Sequence, residues 1–161
     1  MISETQLKKY LLESFDEARK GIRLKHGGPF GAVVVKNGKI VGMGHNTVLK
    51  DNDPTAHAEV NAIRNASKNL KSPHLVGCVL IASSEPCPMC LTSSYWAQIK
   101  EIYYCVPKKI AEKVGFSDSF IYRDLKKTPS KRSVKVRGVK FFVNEGIEVF
   151  YEWQKLNGRL Y

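Results

Sequence analysis

The spacing of apolar side chains predicts an amphipathic helix at the start of the chain. From residue 4 to about residue 20, apolar residues recur every three or four positions, which is the period that places side chains on one face of a helix. These residues are Leu7, Leu11, Phe15 and Ala18. Ser3 and Thr5 are both of the type that caps a helix N-terminus. One face of this helix is therefore expected to pack against the rest of the domain.

Two short apolar segments follow the helix and predict a β-hairpin. They lie at residues 32–35 and 39–44, and the Asn-Gly dipeptide at 37–38 separates them. This dipeptide is typical of the tight turn between two antiparallel strands. Gly42 and Gly44 lower the strand propensity of the second segment, so we expect a bulge or a close approach of backbone near it.

Helical and strand-like segments then alternate up to residue 106. Residues 51–55 indicate a turn and the start of a helix, which carries its apolar residues on one side. These apolar residues are Val60, Ile63 and Leu70. The next predicted elements are a strand at 76–82, a helix from about 89 to 98 and a strand at 99–106. This order predicts an α/β domain in which a sheet lies between helices.

The pattern is less regular after residue 106. The predicted elements are a short helix at 108–114, an aromatic, turn-like segment at 115–120, a strand at 139–143 and a closing helix around 147–153. Residues 126–137 carry six basic side chains and no acidic one. Because neither an internal repeat nor a second domain is visible, residues 1–161 are expected to form one domain.

Composition places the chain among ordinary globular proteins. Of its 161 residues, 43% are hydrophobic and 25% are charged, and no apolar run approaches the roughly 18 residues of a membrane span. The first six residues lack the apolar core of a secretory signal. Cys78 and Cys105 lie in apolar, strand-like segments, where a buried free thiol is the usual occupant. A reducing compartment, the cytoplasm, is therefore expected.

The charge of the chain is strongly positive. The net charge is +11, from 26 basic and 15 acidic residues. An excess of this size is found in nucleic-acid-binding proteins, and also in proteins with a lysine-rich surface that binds no partner. Charge by itself leaves both interpretations open.

Two short motifs, about thirty residues apart, predict a zinc site. In the first, Glu59 follows two residues after His57, and the second is Pro-Cys-Pro-Met-Cys at residues 86–90. His57, Cys87 and Cys90 are ligands of the kind that zinc prefers, and three ligands leave one tetrahedral position open for water, as in catalytic sites. A structural zinc site would want a fourth protein ligand, and a redox Cys-x-x-Cys would not need the His-x-Glu motif.

The same residue types predict a hydrolytic reaction. Zinc lowers the pKa of its bound water to about 7 and so supplies hydroxide at neutral pH. Glu59 can take up the proton of this water and deliver it to a ring nitrogen and then to a departing amine. The backbone N–H of Cys87, at a helix N-terminus, is a further donor to the reacting oxygen. Together the two motifs form the pattern of zinc-dependent deaminases.

Over nearly its whole length the sequence resembles the cytidine-deaminase superfamily, and within it the bacterial guanine deaminases. Residues 54–59 and 85–90 are shared with tRNA adenosine deaminases and identify only the superfamily. Residues 28–32, 95–97 and 115–122, with a C-terminal tyrosine, are more specific for guanine deaminases. The resemblance implies a three-layer α/β/α sandwich with a central mixed sheet, one zinc ion per subunit, and hydrolysis of guanine at C2 to xanthine and ammonia.

The resemblance also implies roles for residues outside the zinc motifs. Asn46 would hydrogen-bond the purine, and Asp118 would recognise the substrate and assist proton transfer to its 2-amino group. The other expected substrate-binding residues are Phe30 and Trp96 beside the ring, Ala58, and Tyr161 as a cover over the pocket. Relatives of this type are homodimers that exchange their C-terminal segments, here about 115–161. Asp118 and Tyr161 are therefore candidates to act in the partner's site.

Each of these residues also has an ordinary structural explanation, and one position departs from the family pattern. The structural explanations are core aromatic side chains for Phe30 and Trp96, a turn for Asn46, a helix cap for Asp118 and a frayed terminus for Tyr161. Ser117 stands where the family often has a second aspartate before Asp118. This departure removes one charge near the expected rim of the pocket and leaves the main carboxylate in place.

Other functions stay open on the sequence. The net charge and the basic run at 126–137 favour a tRNA adenosine deaminase, but residues 116–122 and Tyr161 resemble a lid, whereas an RNA-editing enzyme needs an open groove. A zinc-stabilised RNA-binding module without catalysis would not need Glu59 beside an incomplete ligand set. Guanosine and related amino-purines or amino-triazines are alternative small substrates.

Overall fold

A computed structural model describes residues 2–161 as seven α-helices and four β-strands. The first half of the chain contains α1 (Glu4–Arg23), β1 (Gly31–Lys36), β2 (Lys39–His45), α2 (Val48–Asp51) and α3 (Ala58–Leu70). The second half contains β3 (Cys78–Ser84), α4 (Pro88–Trp96), β4 (Glu101–Val106), α5 (Lys108–Lys113), α6 (Ser119–Leu125) and α7 (Val143–Lys155). The short helices α2 and α6 were not predicted from the sequence.

The four strands form one mixed sheet in the order β2-β1-β3-β4. Strand β1 is antiparallel to both β2 and β3, whereas β3 and β4 are parallel. Because β1 and β3 are the inner strands, their side chains are buried on both faces of the sheet. The predicted hairpin, its turn at 37–38 and the mixed sheet are confirmed.

The two faces of the sheet are covered by helices from different parts of the chain. On one face Tyr10 of α1 packs against a cluster of buried strand residues, Val33, Val35 and Ile81. On the other face α3 packs with Ala58, Ala62, Ile63 and Ala66 against Ala32, Val34 and Leu80. These two apolar layers confirm the predicted α/β sandwich, and burial of side chains of this size is the main stabilising contribution to such a core.

Helix α3 lies directly against the backbone of β2, and two glycines make this approach possible. A Cβ at Gly44 would lie 2.6 Å from the backbone nitrogen of Ala62 and 2.7 Å from the carbonyl oxygen of Ala58. A Cβ at Gly42 would overlap the carbonyl oxygen of Ala62. The close approach expected from these glycines is confirmed, and it fixes the position of the first turn of α3, where the zinc motif lies.

The chain divides into two compact units, one ending at Ser119 and the other comprising Phe120–Tyr161. The first contains the whole sheet. The second contains most of α6, all of α7 and no buried residue. The exchange of residues 115–161 between subunits stays a prediction. In the part of the chain that the structure describes, residues 2–161, no helix is long and apolar enough to cross a membrane.

Two local predictions are wrong. The strand predicted at 139–143 is absent: residues 139–142 are irregular, and Val143 is the first residue of α7. Phe142 takes the left-handed conformation (φ 60°), which ends any extended segment there. Cys105, expected to be buried, is exposed because β4 is the last strand of the sheet, whereas Cys78 is buried as predicted.

Candidate active site

The zinc motifs lie at the N-termini of two helices. His57 is the N-cap of α3 and Cys87 is the N-cap of α4, so His57 precedes the first helical turn in which it was predicted. Pro88 follows as the first residue of α4, where its missing N–H leaves no intrahelical bond unmade. Both helices therefore present the positive ends of their dipoles to the same place, which favours thiolate and other anions there.

The three predicted ligands come together with the geometry of a zinc site. The Nδ1 atom of His57 lies 3.6 Å from Sγ of Cys87 and 3.5 Å from Sγ of Cys90, and the two sulfurs are 3.6 Å apart. In a tetrahedron with zinc–sulfur bonds of about 2.3 Å and zinc–nitrogen bonds of about 2.0–2.1 Å, a nitrogen and a sulfur are about 3.6 Å apart and two sulfurs about 3.8 Å apart. The donor set thus fits a zinc ion, with the imidazole bound through Nδ1.

The electrostatics of the two thiols also favour a cation. A hydrogen bond from Cys90 lowers the pKa of Cys87 to about 4, helped by His57 and opposed by burial. The same hydrogen bond, together with burial, raises the pKa of Cys90. The two thiols therefore oppose each other's ionisation, and the hydrogen bond to Cys87 raises the pKa of His57. A divalent cation stabilises the second thiolate that a complete ligand set requires.

Glu59 is a buried carboxyl group beside this cluster. It lies in the first turn of α3 and is 7% exposed. Burial raises its pKa, and the negative charge on Cys87 adds to this effect. A carboxyl group with a raised pKa next to a metal site is suited to taking up and releasing a proton during a reaction. Its assignment as the proton shuttle stays a prediction.

Asn46 is held in one orientation by backbone groups. Its side chain is almost fully buried, at 5% exposure, and its Oδ1 accepts hydrogen bonds from the backbone N–H groups of Gly28 (3.1 Å) and Val48 (3.3 Å). Gly27 is required beside it, because a Cβ there would overlap Oδ1. With its oxygen engaged in this way, Asn46 offers the amide nitrogen Nδ2, a hydrogen-bond donor, to a ligand.

Phe30 has an aromatic partner that the sequence analysis did not assign to the site. Phe30 is half-buried, and Phe116 packs against it edge to face with ring centroids 5.1 Å apart and planes at 87°. Phe116 also lies against Gly28, whose added Cβ would be 3.0 Å from its ring. The sequence signal that points to Phe116 is its place in residues 115–122, a segment that resembles guanine deaminases.

Asp118 carries an unusual buried oxygen. Its Oδ1 is buried and has no hydrogen-bond partner within residues 2–161. Burial raises the pKa of Asp118, and the charge on Cys87 raises it further, while Lys108 opposes the shift. Asp118 is therefore within electrostatic reach of the metal ligands and has an acceptor atom available for a donor group.

The remaining predicted site residues are less constrained. Ala58 is the fully buried first residue of α3. Trp96 is the last residue of α4 and is 75% exposed, so it is not the core aromatic of the alternative interpretation. Tyr161 belongs to the second unit and is 80% exposed. Roles for all three in substrate binding stay predictions.

Comparison with known proteins agrees with this geometry. The family pattern described as cytidine and deoxycytidylate deaminase zinc-binding region matches residues 4–106. The guanine deaminase of Bacillus subtilis is 43% identical over 145 residues, which cover 90% of this chain and 92% of that protein. Its X-ray structure has a TM-score of 0.84 to this fold, with 42% identity over 92% of this chain and 93% of that chain.

Two further proteins are similar over a smaller part of the chain. A tRNA-specific adenosine deaminase of Buchnera aphidicola is 37% identical over 106 residues, 66% of this chain and 61% of that protein. A guanine deaminase structure from Nitrosomonas europaea has a TM-score of 0.64, with 27% identity over 68% of this chain and 63% of that chain. The family match includes His57, Glu59, Cys87 and Cys90. The chain belongs to the zinc-binding family of the cytidine and deoxycytidylate deaminases.

Proposed function

We propose that this protein hydrolyses guanine to xanthine and ammonia. The observation that carries the substrate assignment is the buried, unpartnered Oδ1 of Asp118 within electrostatic reach of Cys87. Guanine has two adjacent donors, the ring N1–H and the 2-amino group, and a carboxylate can accept from both. Adenine has no ring N–H beside its amino group. The 43% identity to a guanine deaminase over most of both chains supports the same assignment.

The other side of the purine would be bound by Asn46 and by aromatic rings. Guanine has hydrogen-bond acceptors at O6 and N7, whereas adenine has a donor, the 6-amino group, in place of O6. The amide orientation imposed by Gly28 and Val48 turns the donor Nδ2 toward a ligand, which suits an acceptor edge. Phe30, supported by Phe116, is a surface on which the base can stack.

The reaction needs protons to be moved in a defined order. His57, Cys87 and Cys90 would hold a zinc ion, which when bound would supply hydroxide at neutral pH because zinc lowers the pKa of bound water to about 7. Glu59 takes the proton that the water loses and delivers it to the ring nitrogen beside C2. Asp118 accepts a hydrogen bond from the 2-amino group and assists its protonation, so that the amine leaves as ammonia and a carbonyl remains at C2.

We further propose that the protein is a homodimer that exchanges residues 115–161. Helix α7 has an apolar face on which Ile147 and Phe150 are 43% and 74% exposed. A unit of this length without buried residues does not form a core of its own. On the first unit, an apolar groove of about 270 Å³ between α1 and α5 is a surface that the α7 helix of a second copy would cover. In such a dimer each site would receive Asp118 and Tyr161 from the other copy, with Asp118 in the place that it has here near Cys87.

We also place the protein in a reducing compartment, the cytoplasm. The ligand set contains two thiolates, and oxidation of Cys87 and Cys90 to a disulfide would destroy it. None of the four cysteines is in a disulfide in the structure.

Turnover of guanine is the direct test of the proposed function. Purified protein loaded with zinc is given guanine, and both ammonia release and the ultraviolet change to xanthine are followed. We expect kcat/KM for guanine to exceed the value for adenine by at least about 100-fold, since unpaired buried polar groups penalise the wrong substrate. Absence of turnover with zinc bound would contradict the proposal. Formation of inosine in tRNA, with guanine untouched, would replace it by adenosine deamination.

A further inference from the structure

Outside the metal site, the side chains of Glu17, His26 and His45 form one hydrogen-bonded network, although they lie far apart in the sequence. The Nδ1–H of His45 donates to Oε2 of Glu17 at 2.9 Å, and Nε2 of His45 lies 2.9 Å from Nδ1 of His26. The two imidazole rings stack, with centroids 5.2 Å apart and planes at 24°. The side chains of His45 and Glu17 are only 11% and 12% exposed. Neither the zinc chemistry nor the proposed substrate contacts use these groups.

The surroundings of His45 hold its ring in place. Gly21 of α1 lies against the imidazole, and a Cβ there would be 2.9 Å from Cδ2 of His45. Burial would raise the pKa of Glu17, but hydrogen bonds from His45 and Lys20 outweigh burial and lower it. Glu17 is therefore a carboxylate at neutral pH, and it keeps the proton of His45 on Nδ1.

This network is connected to the segment that contains Asn46 and to the segment that holds the Asn46 amide. His45 directly precedes Asn46, and its carbonyl oxygen accepts a hydrogen bond from Asn61 at 3.0 Å. His26 directly precedes the Gly27-Gly28 segment, whose Gly28 N–H donates to Asn46. The carbonyl oxygen of His26 accepts hydrogen bonds from the backbone N–H groups of residues 49 and 50 at 3.0 Å. Movement of either imidazole would therefore move the groups that orient the Asn46 amide.

We propose that His45, held by Glu17 and His26, is a positioning residue for Asn46, and that protonation of the two imidazoles weakens substrate binding at acidic pH. The inference rests on the proposed function, because it takes Asn46 as a substrate-binding residue. A hydrogen bond between two imidazole nitrogens requires that one ring be neutral. When both rings carry a proton on each nitrogen, the bond is lost and the two charges repel.

The charged groups around the two imidazoles set the pH at which this happens. Glu17 and Lys20 face the pair from α1, and Lys50 and Asp51 face it from α2. Desolvation, and then the positive charge of Lys50, lowers the pKa of His26, while Asp51 opposes the shift. His26 therefore accepts its proton only below the ordinary histidine pKa of about 6.5. The hydrogen bond between the two imidazoles is therefore intact above that pH, and it is lost at acidic pH once both rings are protonated.

The test separates KM from kcat as a function of pH. Both constants are measured for guanine between about pH 5 and pH 8 in the wild type and in His26→Asn, whose amide occupies the place of Nδ1 and cannot take up a proton. We expect the wild-type KM to rise about tenfold toward pH 5 and the His26→Asn KM to vary by less than about twofold, whereas kcat should fall in acid to the same extent in both as the zinc-bound hydroxide is protonated. His74→Asn, which removes a half-buried histidine elsewhere, should keep the wild-type rise.

An equal acid rise of KM in the wild type and in His26→Asn would overturn the proposal. So would a wild-type KM that does not change while only kcat falls.

A second measurement does not depend on the substrate: the side-chain amide resonances of Asn46 are followed by NMR during the same titration. They should shift together with the imidazole signals of His26 and His45 in the wild type, and stay in place in His26→Asn. Failure of guanine turnover with this coupled shift present would remove the proposed substrate and leave the positioning role. A wild-type amide that does not respond would remove the positioning role whatever the substrate is.

Discussion

The metal site and the C-terminal unit differ in how completely each is built. In the first unit, Cys90 is fully buried, Glu59 is 7% exposed, and the ligands lie at the N-termini of two helices, of which α3 packs on the sheet. In the second unit, the apolar side chain of Phe150 is 74% exposed and Tyr161 is 80% exposed. The three predicted metal ligands and Glu59 therefore all lie within the first unit. The exposed apolar groups of the second unit are explained if another copy of the chain covers them.

The largest effect should come from Glu59, the group of the first unit that is predicted to transfer the proton. Replacement of Glu59 by glutamine keeps the size of the side chain and removes the proton acceptor, so we expect kcat to fall by at least about a thousandfold. Zinc content, measured by metal analysis, should not change, because Glu59 is not needed as a ligand. Glu13→Gln, a half-buried position on α1, is the control and should keep wild-type turnover. Retention of activity by Glu59→Gln would show that another group carries the proton.

Replacement of Asp118, which lies near the end of the first unit, tests whether this carboxylate selects guanine. In Asp118→Asn the side-chain amide has one acceptor and adds a donor, so it cannot accept from both N1–H and the 2-amino group of guanine. We expect kcat/KM for guanine to fall about 100-fold, since the buried Oδ1 would otherwise receive a hydrogen bond from the substrate. Asp16→Asn, on the exposed surface of α1, is the control. A loss below about threefold would place guanine recognition elsewhere.

The zinc ligands could be predicted from the sequence because their motifs are short and local. The motif around His57 and the Cys-x-x-Cys pair are each contained in a few residues, and the zinc preference of these residue types is visible without knowing the fold. The sheet was predictable because residues 32–35 on β1 form a short continuous apolar run between turn signals.

What the sequence did not reveal depends on contacts between distant residues. Glu17 and His26 lie 28 and 19 positions from His45, and no spacing rule relates three such residues. The apolar residues at 139–143 suggested a strand, but a strand requires a partner, and whether one is present is decided by the rest of the fold. The exposure of Cys105 likewise follows from the position of β4 as the last strand of the sheet.

The proposed dimer is tested by a change on the apolar face of α7. Ile147 shares this face with Val143 and Phe150 at helical spacing. If a second copy covers the face, Ile147→Asp removes about 2 kcal/mol of apolar burial, and the dimer dissociation constant should rise at least about 30-fold in sedimentation equilibrium. Glu148→Ala, on the polar side of the same helix, should leave the constant unchanged. A wild-type protein that is monomeric at micromolar concentration would contradict the dimer.

The smallest effect is expected where the chain departs from the family pattern. Ser117 is exposed, and its hydroxyl donates to the carboxylate of Glu112 at 3.1 Å. Ser117→Asp restores the second family aspartate but places a negative charge beside Glu112. Because exposed charges in water interact by less than about 1 kcal/mol, kcat/KM for guanine should change by less than about threefold. Ser130→Asp, exposed in the second unit, controls for the added charge. A tenfold gain in Ser117→Asp alone would mean that this exposed position contributes to guanine recognition, and that the buried groups of the first unit do not account for it by themselves.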